Sequence, residues 1–279
     1  MHRLHENHRG GAVVHDVTYL RPTDLKDAVR LYRSTPECRP LAGGTDLMVM
    51  LHAGTFRPAP RAVLDVWSIP ELKGVRRTQG MLEIGAAESY TGMIRSRDAH
   101  EHAPALVAAA RTIGAAQIQN RGTLGGNLAN ASPAGDTLPV LLAYDAVVVT
   151  DRRAIPIDQF FTGYRRTALQ PDELIVAVRI PLGRHVAFRK VGTRAAQAIS
   201  KVVMAVSRSP ARVAIGSVAE VPLRAARAEA ALARNDAAGA VGAVADDIRP
   251  INDVRSTAAY RRAVTQNVLR ELLHAPPRP

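Results

Sequence analysis

Two pairs of adjacent glycines, Gly43-Gly44 in LAGGTDLMVML and Gly125-Gly126 in TLGGNLANASPAGD (123–136), restrict the fold more than any other feature of the sequence. Each pair clears the main chain of side chains at a bend, so that neighbouring N–H groups lie open and a ligand can come close to the backbone. Behind the first pair, Asp46 onward reads as the start of a helix, whose N-terminus adds partial positive charge. Thr45 contributes a hydroxyl there, and Thr123 and Asn127 flank the second pair. A single glycine pair is usually an ordinary turn. Two that converge can cradle a pyrophosphate from both sides, which suits a dinucleotide better than a mononucleotide. Asn130, Ser132 and Asp136 then offer polar groups to ribose or base. Spacing alone leaves open a plain hairpin with an Asx-turn at the second pair.

The chain around these bends alternates strand and helix patterns. Thr23 or Asp24 can cap a helix in which Leu25, Ala28, Val29 and Tyr32 recur at helical spacing. Leu41 and Ala42 read as the end of a short buried strand, AVLDVW (62–67) and MLEIGAA (81–87) as strands, and SYTGMIRS (89–96) as a helix capped by Ser89. The alanine-rich APALVAAARTIGA (103–115) is helical by propensity and spacing. Pro171 and Pro181 bracket ELIVAVRI, a nearly continuous apolar strand, and a domain boundary falls near Pro181. Beyond it, AFRKV and ARVAIGSVA alternate with helices over VPLRAARAEAALA and TAAYRRAVTQNVLRELL, where Val264, Val268 and Leu272 make one apolar face. The Ala/Gly/Asp stretch around 235–247 reads as a loop or linker. The fold class is α+β.

A chain of 279 residues, 47% of them hydrophobic, can bury a core in two or three lobes. Cys38 is the only cysteine, which excludes an internal disulfide and any four-thiolate iron–sulfur or zinc site; it reads as a small buried side chain in a protein of a reducing, cytoplasmic compartment. No run approaches a membrane span, and the start MHRLHENHRGGAVVHD lacks the apolar core of a secretory signal. His2, His5, His8 and His15 belong to a loose extension, and HEH at 100–102 reads as a solvated loop and not a metal clip. The net charge of +12 fits an arginine-rich solvated surface or a face toward acidic partner subunits; with aromatics at 4%, stacking platforms for nucleic acid are few. Neither GxGxxG with its distal acid, nor a P-loop, nor GxSxG is present.

Four segments in order, LAGGTDL (41–47), TLGGNLANASPAGD (123–136), FFTGYRRTALQPDELIVAVRIP (160–181) and FRKVGTRAAQAISKV (188–202), resemble the FAD-binding medium subunit of molybdenum hydroxylases, the family of xanthine dehydrogenase and carbon monoxide dehydrogenase flavoprotein subunits. The resemblance covers residues 17 to 234. It implies a vanillyl-alcohol-oxidase-type (PCMH-type) fold, with two α+β lobes holding non-covalent FAD between them and a small C-terminal α+β domain. The divisions it implies are 1–57 for the first lobe, with 1–15 as the loose extension, 58–181 for the second, and 182–279 for the C-terminal domain.

By the same resemblance, Leu41, Ala42, Gly43, Gly44, Thr45, Asp46 and Leu47 lie along FAD as the first pyrophosphate loop. Thr123, Gly125, Gly126, Asn127, Asn130, Gly135 and Asp136 match the second contact loop, with Asp136 as a ribose or adenine-side anchor. Ile113, Gly114, Ile175 and Lys190 match neighbours of the flavin ring; a cation at position 190, close to the N1/O2 edge, would stabilise the anionic reduced ring. Ile113 stands where some relatives place an aromatic, and Gly44 where others have a polar residue. The implied function is electron transfer inside a dimer of heterotrimers: a small subunit with [2Fe-2S] clusters delivers electrons, a large subunit carries the molybdenum cofactor, and NAD+, oxygen or another acceptor takes the pair. No catalytic acid or base is expected on this chain. A stand-alone FAD oxidase of a small organic substrate is the alternative.

Overall fold

The structure, a computed structural model, describes residues 17–56, 58–194 and 197–274; His2, His5, His8 and His15 lie outside the described residues. Three parallel strands, β1 (Thr18–Leu20), β2 (Cys38–Leu41) and β3 (Ala62–Asp65), form the first sheet in the order β1-β3-β2. Helix α1 (Leu25–Ser34) joins the first two, and of the two candidate caps Asp24 takes the role, accepting the Asp27 N–H at 2.8 Å. Cys38 packs with Ala28, Leu64 and Leu72 in this lobe's core, a small apolar filler. Because β1 and β2 pair only through β3, the first sheet needs residues 62–65, which lie beyond the 57/58 division expected from the sequence. Helix α2 (Leu47–His52) leaves the first glycine bend, as expected, with no buried residue of its own.

The second lobe is an antiparallel sheet of β4 (Val75–Thr78), β5 (Met81–Gly85), β6 (Val147–Thr150), β7 (Ala154–Pro156) and, after the small hairpin β8 (Phe161–Gly163)–β9 (Arg166–Thr167), β10 (Ile175–Pro181). Its order is β4-β5-β10-β6-β7. The apolar run of β10 sits at the centre, paired on both sides, which is why it carries few polar residues. Six helices pack around it: α3 (Tyr90–Arg95), α4 (Arg97–His102), α5 (Pro104–Arg111), α6 (Ala116–Gln119), α7 (Leu124–Asn130) and α8 (Leu138–Ala143), the last buried along its whole length. Ser89 caps α3 through the Gly92 N–H at 2.9 Å. His100 and His102 belong to α4, capped by Ser96, and not to the solvated loop expected; His100 Nε2 lies 2.7 Å from the Ile94 carbonyl oxygen.

The C-terminal domain is a four-stranded antiparallel sheet, β11 (Ala187–Val191), β12 (Val202–Arg208), β13 (Ala211–Gly216) and β14 (Leu223–Arg224), with α9 (Ala226–Ala233), α10 (Ala237–Asp247) and α11 (Ala258–His274). The period of two in β12 sorts its faces: Val202, Met204 and Val206 join the core made with these helices, whereas Ala205, with Ala214 of β13, joins the core of the second lobe. Residues 237–247, expected as a loop or linker, are helix α10. Asp236 caps it by accepting the Gly239 N–H at 2.7 Å, alanine supplies propensity, and burial of Ala240, Val241 and Val244 outweighs the cost of two glycines. Among the described residues no helix is long and apolar enough to cross a membrane, and no group of three or more His, Cys, Asp or Glu is placed to hold a metal.

Candidate cofactor site

A cleft of ≈ 1440 Å³ runs between the two lobes and under the edge of the C-terminal domain. Every residue expected from the sequence to lie along the cofactor lines it except Leu41. Leu41 belongs to β2, opposite Asp65, and its side chain lies beneath Gly44.

Gly43 is where the two distant bends meet. A Cβ at this position would stand 1.6 Å from the Arg121 carbonyl oxygen, so the first bend can lie against the segment entering α7 only because residue 43 has no side chain. Gly44 follows with φ +76°, in the left-handed region. Among the described residues no protein acceptor takes the N–H groups of Gly43, Gly44 or Thr45, which leaves three adjacent donors at the floor of the cleft.

The second glycine pair does something different from the first. Gly125 and Gly126 are not an open loop or a hairpin turn; they form the first turn of α7, with Thr123 as its cap through the Gly126 N–H at 3.0 Å. The Gly125 N–H is bound to the Ala86 carbonyl at 3.0 Å, and a Cβ on Gly125 would come within 2.6 Å of that oxygen. These glycines bring a helix end close to β5 and the first bend. The true loop comes after α7, from Ala131 in the left-handed conformation through Asp136.

Polar side chains close the cleft from several elements. Asn130, at the end of α7, accepts from Arg165 at the tip of the β8–β9 hairpin at 2.7 Å. Asp46 faces the same group: the cleft walls desolvate its carboxyl and raise its pKa, against the pull of Arg165 and Asn130. The neighbouring Tyr164 N–H donates to Glu220 of the C-terminal domain at 2.9 Å, which ties the hairpin across the cleft. Asp136 is buried, which raises its pKa, and Lys190 opposes the shift through a 2.6 Å contact to Oδ2. Lys190 also donates to the Thr112 carbonyl at 3.1 Å, so its ammonium is already paired. The other carboxylate oxygen of Asp136, Oδ1, is buried and has no hydrogen-bond partner among the described residues. Ile113, half-buried, and Ile175 supply apolar wall at the same end, with Gly114 at φ +52° turning the chain away after α5.

Sequence reasoning missed Tyr90 and Arg165, which also line the cleft. Arg165 lay inside the quoted FFTGYRR segment, and Tyr90 directly follows the Ser89 cap, but neither position carries a local signal for binding.

The chain matches the family model described as "FAD binding domain in molybdopterin dehydrogenase" over residues 15–183, and the one described as "CO dehydrogenase flavoprotein C-terminal domain" over 187–275. The chain belongs to this family. It is thus an FAD-binding oxidoreductase component of the molybdenum hydroxylase type. A xanthine dehydrogenase FAD-binding subunit of Escherichia coli O157:H7 is 31% identical over 92% of this chain and 94% of that protein. A carbon monoxide dehydrogenase medium chain of Hydrogenophaga pseudoflava is 31% identical over 92% and 96%. Among solved structures, carbon monoxide dehydrogenase from Hydrogenophaga pseudoflava superposes with a TM-score of 0.86 at 29% identity, covering 93% of this chain and 96% of that chain. The family's two-lobed FAD-binding fold with its C-terminal domain is therefore the fold of this chain.

Proposed function

We propose that FAD lies along the cleft with its diphosphate over the Gly43–Thr45 donors and the entrance to α7, and that the chain passes electrons between an iron–sulfur subunit and a terminal acceptor. The observation that carries the placement is the backbone contact at Gly43, which joins bends far apart in sequence into one cradle. The fit extends beyond it: the cleft exceeds the usual ~300–1,000 Å³ of a small-molecule pocket, as an extended dinucleotide requires, and Asp136 Oδ1 is a buried acceptor in want of a donor such as a ribityl or ribose hydroxyl. Bound there, FAD supplies one- and two-electron redox chemistry, while the protein supplies position and electrostatics. Lys190, held by Asp136, places a compensated charge at the Ile113–Ile175 end of the cleft.

Assembly with a small iron–sulfur subunit and a large molybdenum subunit, as a dimer of heterotrimers in the cytoplasm, extends this reading. It is supported by the relatives' names as medium chains and FAD-binding subunits and by a lone cysteine that cannot ligate a cluster. NAD+, oxygen or another oxidant serves as acceptor. A self-contained oxidase would need a free base over the flavin, and two carboxylates on the cleft, Asp136 and Glu173, are instead tied to Lys190 and Arg153. The full-length chain is expected to show flavin absorption when purified, or after addition of FAD. A chain that stays colourless and leaves added FAD unbound overturns the proposal.

A further inference from the structure

Thr137 does not line the cleft; it is fully buried behind Asp136 at the start of α8. Its hydroxyl nevertheless reaches the cleft indirectly, through the side chain of Asn127, whose Oδ1 it approaches to 2.6 Å. A hydroxyl carries a single proton, and that of Thr137 is directed at Asn127. Only Oδ1 of Asn127 can receive that proton, since the amide nitrogen is a donor. The orientation of the Asn127 amide, which heavy-atom geometry alone does not fix, is thus set from behind. Gly135 completes the arrangement: a Cβ there would approach Asn127 Nδ2 to 3.2 Å, so the glycine leaves the amide nitrogen room on the cleft side.

We propose that Thr137 is a positioning residue that holds Asn127 with its N–H₂ turned into the cleft, so that the second contact loop meets the cofactor with a hydrogen-bond donor directed at an anionic oxygen of the diphosphate. The inference rests on the placement of FAD proposed above. It assigns to a buried threonine outside the site a role in choosing which ligand atoms the site accepts. A carbonyl in place of the amide N–H₂ would face the phosphate with a second negative dipole and repel it.

The test is titration of FAD into flavin-free full-length protein, followed by flavin fluorescence and by the emission of Trp67, the only tryptophan. Thr137→Val keeps the shape and removes the proton; it is expected to weaken FAD roughly ten-fold, in line with loss of one hydrogen bond to a charged group, whereas Thr137→Ser stays within about two-fold of wild type. Asn127→Asp is expected to bind at least ten-fold more weakly than Asn127→Ala, because a carboxylate repels the diphosphate where a small apolar side chain merely loses a contact. Thermal melting of each flavin-free variant separates binding from folding. Should Thr137→Val fail to fold, Thr137→Ala removes the same proton without adding a second methyl and is expected to weaken FAD to a similar extent. Wild type that binds no FAD sinks the placement of the cofactor. Wild type that binds FAD, alongside Thr137→Val or Thr137→Ala with unchanged affinity or Asn127→Asp no weaker than Asn127→Ala, overturns the role of Thr137 alone.

Discussion

At the scale of single residues, the site depends most on an atom that is missing. Gly43 has no Cβ, and the Arg121 carbonyl occupies the place where one would be. Gly43→Ala must push apart either the first bend or the entrance to α7, a backbone displacement that no rotamer change can relieve. A cost of roughly 1–3 kcal/mol in stability is expected from such overpacking. FAD retention is expected to suffer more than stability, because the displaced segments carry the donors; thermal melting with and without FAD checks both. Arg121 is itself fixed, stacked over Trp67 at 4.0 Å on the face of the first lobe, with Lys73 3.5 Å from the same ring. The carbonyl has little freedom to retreat.

Elements show how tertiary packing overrides local reading. The stretch around 235–247 has the composition of a linker, yet α10 forms because Asp236 caps it and one face is buried against α9 and α11. Gly239 sits where a Cβ would strike the Asp236 carboxylate, within 1.9 Å, so this glycine belongs to the cap. Gly242 has no such excuse: it is exposed, and a Cβ there meets nothing within 4 Å. Gly242→Ala is therefore expected to stabilise the protein by about 0.5–1 kcal/mol, read as a rise in melting temperature with FAD affinity unchanged. The same logic explains α7. Thr123, Gly125 and Gly126 look like loop residues, but a cap hydroxyl and close approach to β5 make them the first turn of a helix.

On the scale of the whole molecule, carboxylates hold the parts together. Asp145, in the turn after α8, is shared by Arg184 of the connection to the C-terminal domain, Arg212 of β13 at 2.8 Å and Arg224 of β14 at 3.3 Å. Burial alone would raise its pKa, but the Arg212 and Arg184 contacts outweigh burial and hold it below the ordinary 3.8. In Glu173, the hydrogen bond from Arg153 dominates and lowers the pKa from 4.5 to about 2. Both groups are depressed in the folded state, so their stabilisation is complete above the ordinary carboxylate range and disappears as pH falls through their folded values. Stability to denaturant is expected to hold from neutral pH to about 5 and to decline between about 4 and 2. Asp145→Asn should lower the plateau and flatten part of that decline, as measured by urea unfolding at several pH values. A plateau and decline identical to wild type would show that the arginine cluster contributes nothing to docking of the C-terminal domain.

The sequence by itself determined the α+β class, most strands and helices, and seventeen residues on one cleft, because glycine pairs, apolar periodicity and ordered motifs are local properties. Local patterns do not record what a segment packs against. Residues 62–65 joined the first sheet because β1 and β2 have no other strand to pair with, and 237–247 became a helix because a core stood ready beside it. Lys190 pairs with Asp136, 54 positions away in the chain and 2.6 Å away in space. The hydrogen bond from Thr137 to Asn127 likewise exists only where α8 and α7 meet, since a hydrogen bond is decided by distance and direction, and neither is written in the order of residues.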